Sequence, residues 1–325
     1  MGRAARKLKV GVTGANSDLG RLLLPRLAAD PRVGELVVFD VAKPAYEPAK
    51  PGSGIKATFR RVDLTKVGSE AAVSQAFEQE QPQVVYHLAF AGSRVHRADI
   101  AHELEVMGSM QVLAACARVR PERIVLASLT ALYGARPTSP AMVGEEAPLA
   151  GCAGSRFIND KVEVERQFAA FRSANPEVAT VVLRFAPLVG PTSDNPVTRW
   201  LKTRIIPTFL GYDPLWQALH ENDAAEALQR AMVCPPGVYN VAADGVMPLS
   251  SVVRQAGGRI VPLPAPLLRT VVSALESVGR TSVPDALLDY LRYSLVADAS
   301  RAPSALGFLP RYSMAEALSS LQEAA

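Results

Sequence analysis

The chain has 325 residues, 49% apolar and 20% charged, a composition that suits a soluble globular protein of one large or two moderate domains with a full core. Its formal charge of +4 is dispersed, and no Lys/Arg stripe interleaved with aromatics appears, so no nucleic-acid partner is expected. Three scattered cysteines (Cys116, Cys152, Cys234) and four histidines (His87, His96, His102, His220) lack disulfide or metal-ligand spacing. Free thiols, a cytoplasmic location and no metal are the expectations.

The basic run GRAARKLK (Gly2 to Lys9) has no apolar signal core and reads as a lead-in to the first strand. KVGVTG is that strand, closed by a glycine turn, and LGRLLLPRLAAD is the first helix. ELVVFD and FRRVDL follow as strands, EAAVSQAFEQE as a helix, VVYHLAF as a strand and ELEVMGSMQVLAACARV as a helix. RIVLAS, the helix NDKVEVERQFAAFRSA and TVVLRF complete the regular alternation near Phe185; the helix NDAAEALQRAM and the strand GVYNVA lie beyond it. Strands that are almost wholly apolar, each followed by an amphipathic helix, predict a doubly wound α/β (Rossmann) fold, a mostly parallel sheet with helices on both faces. The expected division is a nucleotide-binding domain over 1–185 and a smaller C-terminal substrate lobe over 186–325, partly interleaved with it. The late stretch IVPLPAPLLRTVVSALESVG is apolar, but prolines, Arg269 and Glu276 break it. It is too interrupted to span a membrane; a lid or a peripheral membrane contact are its two readings.

The first strand runs into TGANSDLGR, where Gly14 and Gly20 bracket a loop that opens a helix. Free backbone N–H groups and the helix dipole at such a start can hold a pyrophosphate. Gly14, Asn16, Ser17, Leu19 and Gly20 are therefore candidate cofactor residues. Asp40 ends the next strand, where a carboxylate accepts from ribose hydroxyls and repels a 2′-phosphate, which favours NAD(H) over NADP(H).

Taken together, these motifs resemble the extended short-chain dehydrogenase/reductases of the NAD-dependent epimerase/dehydratase family. TGANSDLG is similar to the family's TGxxGxxG, with Ser17 at the middle glycine. VDL (Val62 to Leu64), YHLAF (Tyr86 to Phe90), SLTALYG (Ser128 to Gly134), LRFAPLVGP (Leu183 to Pro191), HENDAAEAL (His220 to Leu228) and GVYNVA match further family segments. The resemblance spans nearly the whole chain. It implies that Asp63 caps the adenine, that Leu64, Leu88 and Ala89 lie along the cofactor, and that Lys161 holds the nicotinamide ribose.

The family's proton passes through a tyrosine one turn before that lysine, helped by a serine or threonine hydroxyl. Here Phe157 stands at the tyrosine position and Leu129 at the second serine of SSxxVYG, flanked by Ser128 and Thr130. Glu165, one turn past Lys161, is placed to pair with it or to cap a neighbour. Lys161, Thr130 and Ser128 are thus the candidate catalytic groups, with His96 and His102 as further candidates for the missing acid. The first reading is an NADH-dependent reductase of a carbonyl group with a non-standard proton donor. The others are an NAD(H)-binding regulator or scaffold without turnover, and an isomerase, dehydratase or sugar-nucleotide epimerase of the same family.

Sugar-nucleotide relatives carry an asparagine where this chain has Ala186 and Pro187, and NVxGTxN becomes EVMGSMQ, with Glu105 and Gln111. An apolar or aromatic, non-sugar small molecule is therefore the expected substrate. Trp200, Phe209, Tyr212 and Trp216 read first as core and second as a pocket wall. Tyr133 reads as a packed turn residue, His220 and Asp223 as helix caps, and Arg184 and Arg204 as surface charges. The resemblance is compatible with a homodimer through the helix that carries Lys161.

Overall fold

The computed structural model describes residues 6–46, 55–66, 68–90, 98–277 and 285–322. β1 (Leu8–Thr13) lies in the middle of a seven-stranded parallel sheet, and its Val10 and Val12 are fully buried. β2 (Val33–Asp40) and β3 (Lys56–Arg61) extend one side. β4 (Val84–His87), β5 (Arg123–Leu129), β6 (Ala179–Phe185) and the strand Gly237–Val241 extend the other. The strand order therefore reverses between β1 and β4, and their carboxyl ends bound the crevice where ligands bind in such sheets.

Helices cover both faces. On one, α1 (Asp18–Ala29) packs beside α7 (Glu221–Arg230), burying Leu23, Leu24, Leu27 and Leu228 completely. Each such leucine contributes about 1.5–3 kcal/mol of transfer free energy. On the other face, α2 (Glu70–Glu80), α4 (Gly108–Val119) and α5 (Arg156–Ala174) bury Phe77, Val112 and Phe168, with Phe77 stacked on Phe39 at 4.5 Å between centroids. The prediction of a parallel sheet covered on both sides holds.

Element ends differ from the pattern-based expectation. β3 ends at Arg61, so Val62 to Leu64 form the turn after it, and β4 ends at His87. The expected single helix over ELEVMGSMQVLAACARV begins instead as π-helix: α3 (Ala98–His102) passes through a π segment (Glu103–Met107) into α4. A π segment adds a residue per turn and turns side chains towards a new face, and it recurs at functional sites.

The strand Gly237–Val241 carries the later chain back into the main sheet. Around it, the C-terminal residues form a second core in which Trp200, on α6 (Pro196–Leu201), stacks on Trp216 at 5.4 Å and Phe209 is buried. These aromatics are packing, as their first reading had it; Tyr212 alone of the four is exposed. The late apolar stretch forms a strand (Arg259–Leu263) and a helix (Ala265–Ser277). Among the described residues no helix is long and apolar enough to cross a membrane.

One buried polar network ties β5, β6, α5 and the last sheet strand together. Arg184, on β6, donates to both carboxylate oxygens of Glu165 at 2.7–3.0 Å and to the Tyr133 hydroxyl at 2.7 Å. Ser128 donates to Glu165, and Tyr133 donates to Asn240 Oδ1 at 2.8 Å. Arg184 is therefore buried rather than on the surface, and Glu165 pairs with it rather than with Lys161. A carboxylate that close to a buried guanidinium is held because neither charge has water to return to. Tyr133 is the packed turn residue expected. Glu165→Gln leaves Arg184 without its counter-charge, so a stability loss of about 3–5 kcal/mol is expected from urea unfolding. A loss below about 1 kcal/mol would show that the network contributes little.

Candidate active site

The loop after β1 owes its shape to two glycines. Gly14 sits at φ +73°, and a Cβ there would fall 2.4 Å from the Ala89 backbone N at the end of β4. At Gly20 a Cβ would fall 2.5 Å from the Gly14 carbonyl oxygen. The turn therefore folds flat against β4 before α1 begins. Ser17 is the N-cap of α1: its Oγ accepts the Gly20 N–H at 3.0 Å. The hydroxyl thus serves the helix start, the part of a helix whose backbone N–H groups suit an anion.

Asp40 stands beside this loop at the end of β2, accepting from Asn16 N at 3.1 Å and Val41 N at 2.7 Å. Asn16 also ties the loop down by donating its amide to the Ala42 carbonyl at 2.9 Å. Asp63 closes a turn by accepting from Thr65 N and Oγ1. Leu64, Leu88 and Ala89 are buried at the same end of the sheet, and a Cβ on Gly108 of α4 would meet Leu64 at 3.0 Å. The proposed adenosine-side residues are therefore gathered at the carboxyl ends of the strands. The helix-start amides and a carboxylate with spare lone pairs fit the pyrophosphate and ribose of a dinucleotide.

The nicotinamide side is built differently from what the motifs imply. Lys161 is only 5% exposed, and its ammonium lies 2.9 Å from Glu105 Oε2, itself fully buried. Phe90 lies over the lysine, with Nζ 2.9 Å from the ring centroid, and the Phe157 ring stands 5.7 Å away. Burial pushes the Lys161 pKa down to about 8, against the opposing pull of Glu105. The Glu105 carboxylate is engaged locally, since the π segment carries it and turns it onto α5.

Phe157 opens α5 half-exposed, one turn before the lysine, just after the N-cap Ser155. Ser128 commits its hydroxyl to Glu165, whereas Thr130, buried at the head of a short 3-10 turn, takes no part in that network. On the same helix as Lys161, Asp160 hydrogen-bonds the half-exposed His102 at Nδ1, 2.9 Å away. His96 lies outside the described residues. His87 is fully buried between Thr13 Oγ1 and Ser109 Oγ, and burial pushes its pKa down to about 3. It is a neutral element of the core. His220 caps α7 by accepting Asn222 N, as expected, whereas Asp223 caps no helix: from inside the first turn of α7 it accepts the backbone N–H groups of Arg311 and Tyr312 and ties down the C-terminal segment. Among the described residues no His/Cys/Asp/Glu group could hold a metal ion.

Sequence reading missed the Glu105–Lys161 and Asp160–His102 pairings and the cover by Phe90. The signal available was spacing: His102 and Glu105, like Phe157, Asp160 and Lys161, stand one turn apart on facing helices.

The chain is 32% identical over 314 residues to the uncharacterized protein Rv0501 of Mycobacterium tuberculosis, covering 94% of this chain and 81% of that one. Its fold is similar to UDP-glucose 4-epimerase of Thermus thermophilus, solved with NAD, at TM-score 0.72 and 21% identity over 98% of each chain. It is also similar to dTDP-glucose 4,6-dehydratase of Bacillus anthracis, solved with NAD, at TM-score 0.71 and 14% identity over 98% of this chain and 96% of that one. The NAD dependent epimerase/dehydratase profile matches residues 10–242, and with the glycine turn, Asp40 and the switch-point crevice in place, the chain belongs to that family.

Proposed function

We propose that this protein binds NAD(H) and reduces a carbonyl group on a hydrophobic, non-sugar small molecule, with Lys161 in place of the family's tyrosine as the source of the proton. The buried Lys161–Glu105 pair carries this reading. Taking both charges out of water costs several kcal/mol per ion, so such a pair is a poor way to stabilise a fold and a good way to hold a lysine whose proton can leave near neutrality. Bound NADH supplies the hydride.

Gly14, Gly20, Asp18 and Leu19 would hold the pyrophosphate through backbone and turn shape, and Asp40 the adenosine ribose. Lys161 would orient the nicotinamide ribose once the Phe90 ring gives way. Thr130 is the candidate hydroxyl for steering the substrate carbonyl, because Ser128 is engaged by Glu165. The half-exposed Phe157 ring and the Ala186–Pro187 step favour an apolar or aromatic substrate over a nucleotide diphosphate. A second reading, NAD(H) binding without turnover, draws on Phe90 and Phe157, which put apolar rings next to the lysine. Assays of NADH consumption with aromatic and aliphatic ketones separate the two, with UDP-glucose as the sugar-nucleotide control. Turnover of UDP-glucose alone would sink the non-sugar assignment.

Asp40→Ala is expected to weaken NADH binding by about tenfold or more while changing NADPH binding less, read by fluorescence titration. Equal losses would remove Asp40 from the ribose. Phe157→Tyr is expected to leave NADH affinity nearly unchanged, since the ring edge already meets solvent; a large loss would place Phe157 against the nucleotide.

The pH dependence has a definite sign. Lys161 donates only while protonated, so the reduction rate is expected to fall as pH rises through about 8. Glu105 favours the protonated form, so Glu105→Gln is expected to move this limb to lower pH. His102→Gln is expected to leave it in place. A limb that ignores Glu105→Gln and follows His102→Gln would transfer the proton to the histidine.

A further inference from the structure

At the end of the molecule away from the cofactor crevice, the last turns of α1 and α7 bound a cavity of about 520 Å³. Arg26, Arg32, Arg230 and Arg311 line it, and Val233 and Leu306 give it an apolar side. Arg32 is held by Asp30 at 2.6 Å, and Arg230 and Arg311 share Glu226 at 2.8 and 2.9 Å. Arg26 donates to the Asn222 carbonyl at 3.2 Å. Asp30 also accepts from Gln229, and the Arg32 guanidinium beside it lowers the Asp30 pKa to about 2. Four guanidiniums thus face two carboxylates.

Basic residues in a last helical turn ordinarily offset the dipole, which accounts for Arg26 and Arg230. Arg32 and Arg311 lie outside both helices, and that account does not extend to them. The half-charges of two helix ends do not cancel a formal excess of two positive charges. Each guanidinium carries five donors in a planar fork, of which the carboxylates and carbonyl use one or two, so forks remain for a bidentate anion. The wall opposite is a π-helical turn (Ala302–Leu306) ending at Gly307, built of small residues and opening towards Arg230. A volume in this range matches a small ligand rather than a single ion.

We propose that this cavity binds a small phosphomonoester whose phosphate takes the arginine forks and whose body lies against Val233 and Leu306. The site is separate from the cofactor crevice, and α1 joins the two: it begins at the Ser17 cap and ends at the cavity.

Calorimetric titration of the full chain with ribose 5-phosphate, at low salt where screening is weakest, tests this. Saturable binding is expected, at least about tenfold weaker in the double variant Arg230→Gln/Arg311→Gln, with NADH affinity unchanged. Val233→Glu puts a negative charge at the mouth without touching the ion pairs, and the same loss is expected there even if the double variant does not fold. Inorganic phosphate, titrated in parallel, separates the phosphate from the body: tighter binding of the sugar phosphate supports the apolar contact. No saturable binding of either probe by the unaltered chain, or binding that both variants leave intact, would overturn the proposal.

Discussion

The organisation of this protein depends on one steric constraint, the absence of side chains at Gly14 and Gly20. With a Cβ 2.4 Å from the Ala89 backbone, the chain leaving β1 could not lie against the end of β4. That contact sits where the strand order reverses. It brings the first turn of α1, Asp40 and the Leu88–Ala89 segment together at the carboxyl ends of β1, β2 and β4. Ser17 shows how much substitution the turn tolerates: a serine in place of the middle glycine is absorbed because its hydroxyl completes the helix cap.

Two buried ion pairs then sit on the lysine-bearing helix, and the proposed reaction draws on one of them. Arg184–Glu165 has hydrogen bonds on nearly every side: Ser128 donates to the carboxylate, and Arg184 donates to the Tyr133 hydroxyl and the Glu145 carbonyl. Such a satisfied network fixes strands and helix against each other, and it engages the Ser128 hydroxyl. Lys161–Glu105 is set differently, with an apolar ring over the ammonium and a carboxylate carried on a π turn. The first pair has no proton to give, because a guanidinium does not titrate near neutrality. The second does.

What the sequence made legible was what short-range periodicity controls: the strands, the covering helices, the glycine turn and the Asp40 position all follow from spacing within one or two elements. The ion pairs did not, for different reasons. Glu165 is one turn from Lys161, and the helical spacing rule pairs them, but a guanidinium across the sheet outcompetes a lysine already satisfied by Glu105. The burial of Arg184 was readable in principle. TVVLRF is a strand covered on both faces, so a charge on it has no outward face to choose. Glu105 depended on the π segment, and no pattern of apolar residues distinguishes that insertion from an ordinary helix.

The substitutions at 157 and 105 are best understood as one change. In the scheme implied by the family resemblance, an uncompensated lysine and a positively charged nicotinamide lower the pKa of a tyrosine. A carboxylate 2.9 Å from that lysine cancels much of the field on which such a tyrosine depends. With Glu105 in place, a hydroxyl at 157 would be poorly activated, so phenylalanine there forfeits little. Conversely, with no tyrosine to activate, an isolated buried ammonium would be strongly destabilising, and a carboxylate lowers that cost while leaving the lysine's own proton labile. Each substitution removes the reason against the other, and in the proposed reaction together they move the acid of this site from a phenol to an ammonium.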